Sequence, residues 1–438
     1  MEKHKESIGE NRQNAIPNAK TSGSRTPNVP ALRFPGFTEE WEEHYLAEYL
    51  DFKNGLNPNA NKFGSGIKFI SVMDILNNDF ITYDCIRTSV KITPEEQVAF
   101  AVEKGDMLFQ RSSETLEDVG RANVYMDDQP AVFGGFVIRG KKKTEYNPMF
   151  FRYLLASPYA RKKIIPMGAG AQHFNIGQDG LSKVRLHFPV LQEQHKIATL
   201  LRLIDDRIST QNKIIEDLKK LKSAITEILF CTPKESMPSK RLSVYKNEWK
   251  LVRLSDICQR IRTKNVGGQC RQVLTIAAQY GLVNQEDFFN KTVASENLEG
   301  YYLLQKGDFA YNKSYSGDYT WGAIKRLELY EQGVLSPLYI CFRPDITKVD
   351  ADYLAHYFES KKWYKGIADI AGEGARNHGL LNISVIDFFD TIHRIPDLKE
   401  QKVIAQFLNM FSSKLSCEQR IMQSLTKQRN YLLQKMFI

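Results

Sequence analysis

The chain has 438 residues, with 60 Lys plus Arg against 51 Asp plus Glu and a formal net charge of +9. An apolar fraction of 42% and a charged fraction of 25% fit a soluble globular chain of two or three domains. They exclude gross disorder, collagen-like repeats and a disulfide scaffold, while the charge permits a nucleic-acid partner without demanding one.

In chain order, residues 1–30 are polar and poor in large apolar groups, and read as a disordered tail. They contain no apolar run of signal-peptide type, and no stretch of the chain approaches 18 apolar residues, so no membrane span is expected. Strand candidates in the first half are IKFISV (67–72), DMLFQ (106–110), AVFGGFVI (131–138) and KVRLHF (183–188). In the second half they are RQVLTI (271–276), DFAYN (308–312) and VLSPLYICF (334–342). Amphipathic helices fit about 148–163 and 351–366. The fold class is α+β. Six cysteines, at 85, 231, 258, 270, 341 and 417, form no CxxC and read as free thiols in a reducing compartment.

The chain repeats itself. PVLQEQHKIA (189–198) matches PDLKEQKVIA (396–405) at six of ten positions, at an offset of 207. Trp41 answers Trp249, Lys104-Gly105-Asp106 answers Lys306-Gly307-Asp308, and Asn175-Ile176 answers Asn382-Ile383. A tandem duplication follows. Its expected parts are a tail (1–30), a first mixed domain (31–190), a central long helix (191–230), a Pro- and Ser-bearing linker (231–240), a second mixed domain (241–396) and a C-terminal long helix (397–438).

Both long segments carry heptads. The first places Ile197, Leu201, Ile204, Ile208, Gln211, Ile215, Leu218, Lys222, Ile225 and Leu229 on one seam. Adding 207 gives Ile404, Leu408, Phe411, Leu415, Glu418, Met422, Leu425, Arg429, Leu432 and Met436. A period near 3.5 held this long predicts a coiled coil. Forty helical residues span ~60 Å at ~1.5 Å each, and the simplest packing is antiparallel with a pseudo-twofold axis. Gln211 and Glu418 either meet across that axis as a polar register device or face solvent or a partner.

Catalytic signatures are missing. There is no GxxxxGK[ST] and no HExxH, and Gly168-x-Gly170 and Gly372-x-Gly374 lack a third glycine. Asn147-Pro148-Met149-Phe150 is similar to the Asn-Pro-Pro-Phe loop of adenine methyltransferases but lacks the second Pro; Asn147 as a helix cap with Pro148 at the first turn accounts for it. Each Lys-Gly-Asp reads as a turn entering a strand, with Gly at positive φ. Trp41 and Trp249 read as core anchors.

Two globules, each followed by a long helix opening with P-x-L-x-E-Q-x-x-I-A, resemble the specificity subunit of type I restriction-modification systems. The opening LRFPGFTEEWEEHYLAEYLDFKNG (32–55) is similar to the start of many such subunits; the second opening, RLSVYKNEWKLVRLSDI (241–257), lacks Phe-Pro-Gly-Phe but keeps Trp249. The resemblance covers about residues 31–438. It implies two target recognition domains, each reading half of a bipartite, asymmetric DNA site, separated by helices that act as a ruler. It also implies two modification subunits carrying S-adenosylmethionine and restriction subunits using ATP and Mg. This chain would then hold no cofactor or metal, would catalyse nothing, and would work in the prokaryotic cytoplasm at the nucleoid.

DNA-contact candidates follow the Lys-Gly-Asp strands and occupy the Gly-rich stretches. In repeat one they are Gln110, Arg111, Ser112, Ser113, Arg121, Gln172, His173 and Asn175. In repeat two they are Asn312, Lys313, Ser314, Tyr315, Tyr319, Arg376, Asn377 and His378. A solvated turn is the competing reading for each. The basic runs Lys141–Lys143 and Arg161–Lys163 are candidates for steering DNA. The competing whole-chain reading is a non-catalytic scaffold whose globules bind proteins.

Overall fold

In the computed structural model, residues 28–242, 245, 247–277, 280–289, 297–314, 319–371 and 381–438 are described. The tail expected at 1–30 lies almost wholly outside them. The chain divides into two compact units: residues 1–207 with 425–438, and residues 208–424.

The units share a plan. In the first, Glu42–Tyr45 pairs antiparallel with Arg185–Phe188, so the start and end of the globule are joined in one ribbon. In the second, Lys250–Arg253 pairs with Ile392–Ile395 in the same sense. Each unit then has a four-stranded antiparallel sheet. The order in the first is Leu50–Asn54, Val137–Lys142, Met107–Gln110, Ala122–Val124; in the second it is Cys258–Arg260, Ile340–Pro344, Phe309–Asn312, Ala323–Arg326. The Lys-Gly-Asp strand holds the third place in both. The units differ beyond this sheet. The first adds the three-stranded sheet of Ser89–Val90, Phe63–Ile70 and Val132–Phe133; the second adds two separate two-stranded ladders.

The Lys-Gly-Asp turns work alike. Gly105 and Gly307 both sit at φ 94°, a conformation open to glycine at little cost. Asp106 and Asp308 are buried behind them. Asp106 accepts from the Glu103 amide (3.0 Å) and Asp308 from the Gln305 amide (2.7 Å), closing the turn.

Several expected elements break where side chains demand it. The run 131–138 is two strands, Val132–Phe133 and Val137–Lys142, parted by a turn at Gly134–Phe136. The run 334–342 is parted by Pro337 into Gln332–Leu335 and Ile340–Pro344. The run 67–72 ends as a strand at Ile70, because Ser71 and Asp74 form a capping box that starts the helix Val72–Asn77. The helix expected at 148–163 is Pro148–Ala156 followed by Pro158–Ile164: Pro158 has no N–H to continue the first, and Ser157 caps the second by accepting from the Ala160 amide. The helix expected at 351–366 is likewise Ala351–Glu359 and Tyr364–Ile370. Asn147 is the cap expected of it, accepting from the Phe150 amide at 2.9 Å.

The long helices run Leu191–Leu229 and Leu398–Lys435. Every heptad position named above is buried or half-buried. Within unit one, Ile197, Ala198 and Leu201 share a core with Trp41, Leu433, Met436 and Phe437. Within unit two, Leu229 and Phe230 share a core with Trp249, Ile404, Ala405 and Leu408. The helices are therefore antiparallel inside each unit. Gln211 and Glu418 meet in unit two: Gln211 Nε2 donates to the Glu418 carbonyl (3.1 Å) and to Glu418 Oε2 (2.5 Å).

The Glu-Gln of the repeated motif has one geometry in both copies. Glu193, 0% exposed, accepts two bonds of 2.8 Å from Arg33; Glu400 accepts two from Arg241, at 2.8 and 2.5 Å. Gln194 donates to the Pro189 carbonyl (3.0 Å) and accepts from the Asn147 amide (3.0 Å). Gln401 does the same with Pro396 (3.0 Å) and Asp350 (2.8 Å). Chain entry, helix start and the cap of the globule's own helix are thus joined at one point. Hydrogen bonding to Glu193 raises Arg33 above its usual value, and Glu400 does so for Arg241. Removing one partner leaves the other charge in place with its mate gone. Glu193→Ala is expected to destabilise unit one by about 3 kcal/mol and leave unit two unchanged, with the reverse for Glu400→Ala. Hydrogen exchange resolved by unit checks this; equal losses in both units would contradict it.

His393 is wholly buried, and burial lowers it to about 4. Thr391 gives its hydroxyl proton to the Phe388 carbonyl and so accepts from His393 Nε2–H (2.8 Å), leaving Nδ1 to accept from Tyr357 (3.0 Å). The ring is neutral in the fold and protonates near 6.5 once unfolded. Its contribution is fully present above pH 6.5 and is lost as pH falls toward 4. Unit two should lose about 3 kcal/mol over that window. His393→Gln is expected to flatten that part of the stability profile; an unchanged slope would assign it elsewhere.

Candidate nucleic-acid interface

The two candidate stretches of repeat one are brought together on one surface. Ser112–Ser113, just beyond the strand Met107–Gln110, pairs antiparallel with Phe174–Asn175. The Ser112 hydroxyl donates to Asn175 Oδ1 across a separation of 63 residues. The Ile176 amide donates to the Arg111 carbonyl (2.9 Å), and Ala169 and Asn175 exchange two backbone bonds of 2.9 Å. Gly170, at φ 148°, makes the turn between them; a Cβ there would sit 2.0 Å from the His173 carbonyl oxygen.

The eight candidates of this repeat divide. Gln172, His173, Asn175 and Arg121 are exposed. Arg121 is paired with Asp118 at 2.6 Å. Arg111 is half-buried, with Nη1 donating to the Gly135 carbonyl (3.2 Å). Ser112 is half-buried. Gln110 and Ser113 are corrected: both are buried and hold the loop from beneath. Gln110 Nε2 donates to the Ser112 carbonyl (2.9 Å), and Ser113 Oγ accepts from the Thr115 amide (3.2 Å).

In repeat two, Tyr315, Arg376, Asn377 and His378 lie outside the described residues, as do Gly372 and Gly374. Asn312 is half-buried and accepts from the Ser314 amide (3.0 Å). The Lys313 carbonyl accepts from the Leu381 amide (2.9 Å), which ties the end of the Lys-Gly-Asp strand to the segment that precedes Asn382-Ile383. Tyr319 is half-buried, with Lys325 Nζ 5.9 Å from its ring centre. The interface candidates on the long helices, Ile197, Leu201, Ile204, Ile208, Gln211, Ile404, Leu408, Phe411, Leu415 and Glu418, all lie on the buried seam.

The basic runs are less available than their composition suggests. Lys141 bonds Glu103 (3.2 Å), Lys142 bonds Glu145 (3.0 Å), and Lys143 donates to the Ala47 carbonyl (3.0 Å). Arg161 turns inward onto the carbonyls of Glu117 and Val119. Two exposed aromatics stand out: Phe136, 67% exposed, beside Arg111, whose amide donates to the Phe136 carbonyl (2.9 Å), and Tyr280, 71% exposed, at the tip of a hairpin. A glycine pair interrupting a strand-like run marks Phe136 in the sequence; nothing comparable marks Tyr280.

All six cysteines are free thiols. Burial pushes Cys231 and Cys341 up to about 12, where a thiol is unreactive at neutral pH. Among the described residues no group of three or more His, Cys, Asp or Glu is placed to hold a metal ion, and no helix is long and apolar enough to cross a membrane.

The fold defines a tandem pair of mixed α/β units carried on two long helices. Residues 38–220 match the family described as type I restriction modification DNA specificity domain. Among curated proteins, the chain is 25% identical over 226 residues to the putative type I restriction enzyme MjaX specificity subunit of Methanocaldococcus jannaschii, covering 50% of this chain and 52% of that protein. It is 28% identical over 199 residues to the type I restriction enzyme HindI specificity subunit of Haemophilus influenzae, covering 44% and 41%. The chain spans about half the length of the curated relatives it matches. In fold it is similar to the type I restriction-modification S subunit from M. genitalium, with a TM-score of 0.56 and 16% identity over 94% of this chain and 99% of that one. A structure of type I restriction-modification complex assembly gives a TM-score of 0.51 and 14% identity over 90% and 96%. The family match spans residues 38–220, less than half of the chain.

Gly170→Ala is expected to open the Ala169–Asn175 pairing, since both φ and the space forbid a Cβ. Amide exchange at Asn175 should accelerate about tenfold to a hundredfold. Gly177→Ala, with open space around it, should not change it. Equal exchange in the two variants would show that Gly170 does not hold the loop.

Proposed function

We propose that this chain is the DNA-reading subunit of a type I restriction-modification complex and is itself non-catalytic. Each unit reads one half of a bipartite, asymmetric DNA site, and the long helices set the unread spacer and dock two modification subunits. Methyl transfer from S-adenosylmethionine, and ATP- and Mg-dependent cleavage by restriction subunits, belong to those partners. The observation that carries the reading is the duplicated unit in which a Lys-Gly-Asp strand delivers polar side chains to a loop surface, paired in unit one by Ser112–Ser113 and Phe174–Asn175. The matching sheets make the units alike in plan, while their differing additions make them unlike in what they read. Arg111, Gln172, His173, Asn175 and Phe136 offer hydrogen bonds and an apolar face of the kinds that read base edges. Half-sites about one turn apart, ~34–36 Å, follow from reading one face of the duplex.

Replacing residues 31–190 with the corresponding segment of another specificity subunit is expected to change one half of the recognised sequence and keep the other. The assembled complex should also lose DNA affinity steeply with salt, by ~0.9 log unit per log unit of salt for each phosphate neutralised. A change in both halves or in neither would defeat the modular assignment. Salt-independent affinity would favour a protein-binding scaffold.

A further inference from the structure

Two polar steps interrupt the heptads, and the second pair, Lys222 and Arg429, each line a cavity within one unit. In unit two, Lys219, Lys222, Lys325 and Glu359 border a cavity of about 300 Å³, and Lys222 Nζ bonds Glu359 at 2.8 Å. Burial opposes ionisation of Glu359, but the adjacent His356, Lys222 and Lys325 outweigh it and hold the carboxylate well below its usual range. That cavity carries its own anion.

Unit one has the same cavity without that anion. Its volume is about 390 Å³, and its lining includes Arg121, Arg152, Arg161 and Arg429. The helices Pro148–Ala156 and Ala351–Glu359 are both nine residues long, both capped at the residue before and both ended by Ser. This alignment puts Ala156 where unit two has Glu359. Arg152 is only 9% exposed, and its Nη1, like Arg161 Nη1, is buried without a hydrogen-bond partner. The acids nearby are engaged: Asp205 accepts from Arg429 Nε (2.5 Å) and the Tyr153 hydroxyl (2.8 Å), and Asp118 pairs with Arg121 (2.6 Å). Asp205 and Asp79 reach Arg152 only at 3.7 and 3.9 Å, and Glu117 completes the acidic lining. Burial lowers Arg152 and brings Arg161 down to about 10, against the opposing pull of Asp205 and Asp79 on the first and of Asp118 on the second.

We propose that this unit-one cavity is a phosphate-binding site, in which an external phosphate group occupies the place that the Glu359 carboxylate fills in unit two. Guanidinium groups match phosphate oxygens in geometry and charge, and four of them border this cavity. The phosphate is either free or part of a nucleic-acid backbone; the chemistry recognised is the same. The inference rests on the cavity alone and survives if the DNA-reading proposal fails.

The test is calorimetric titration of the full chain with inorganic phosphate, with chloride holding ionic strength constant. One phosphate per chain is expected. Ala156 is exposed, so Ala156→Glu can place a carboxylate in the cavity without disturbing the core. It should weaken phosphate binding at least about tenfold while thermal unfolding shows an intact fold. Arg429→Gln should weaken binding by a similar factor through loss of a donor. Absence of phosphate binding by the unaltered chain, or binding that Ala156→Glu leaves unchanged, would overturn the proposal. A duplex oligonucleotide separates the sources. Competition between phosphate and duplex, with duplex affinity lowered by Ala156→Glu, assigns a backbone phosphate; phosphate binding with unaltered duplex affinity assigns a free one.

Discussion

The buried pair of a guanidinium and the first-turn glutamate of each long helix is the constraint on which the remaining geometry rests. Arg33 grips Glu193, and Arg241 grips Glu400, through two parallel bonds each. The neighbouring glutamine ties the helix start to the amide of the residue that caps the globule's own helix. A two-pronged pair admits one orientation, whereas apolar packing alone tolerates sliding. The direction in which each helix leaves its globule is therefore set by directional bonds. A buried ion pair contributes little net stability over a good apolar substitute, so its value here lies in geometry. That it occurs twice, with the same atoms in the same roles, explains why the repeated motif keeps Glu-Gln while the residues around it change.

The polar heptad steps follow a second logic. Gln211 and Glu418 satisfy each other inside the seam of unit two, which removes the penalty of burying either alone. Lys222 and Arg429 find different kinds of partner: Lys222 pairs with Glu359 on the globule helix of unit two, whereas Arg429 pairs with Asp205 on the other long helix, and Asp205 in turn accepts from the Tyr153 hydroxyl of the unit-one globule. The step thus ties helix to globule directly in unit two and through Asp205 in unit one.

Features with local causes were legible in the sequence. Heptads specify the long helices, Lys-Gly-Asp the strand entry, and Asn147-Pro148 a helix start, because each depends on residues a few positions apart. The duplication was legible because the same local signals recur at one offset. Features that depend on distant partners were not. Arg33 finds Glu193 across 160 residues, and no short pattern marks either as half of a pair. Gln110 looked like a surface reader because it ends a strand, yet the sheet covers its side chain and its amide goes to Ser112. Lys141–Lys143 looked like a basic patch until acids and a carbonyl from other elements proved to occupy it. The meeting of Ser112 with Asn175 lay between these cases. Both residues were singled out, but their pairing was not foreseeable from spacing.

The central claim is that two unlike readers on one scaffold define one asymmetric, interrupted DNA site. Mapping methylated adenines across DNA modified by the assembled complex tests it most directly. The account predicts a single motif of two different short halves around a fixed stretch of unread bases. A palindromic motif, a continuous one, or methylation independent of sequence would contradict it.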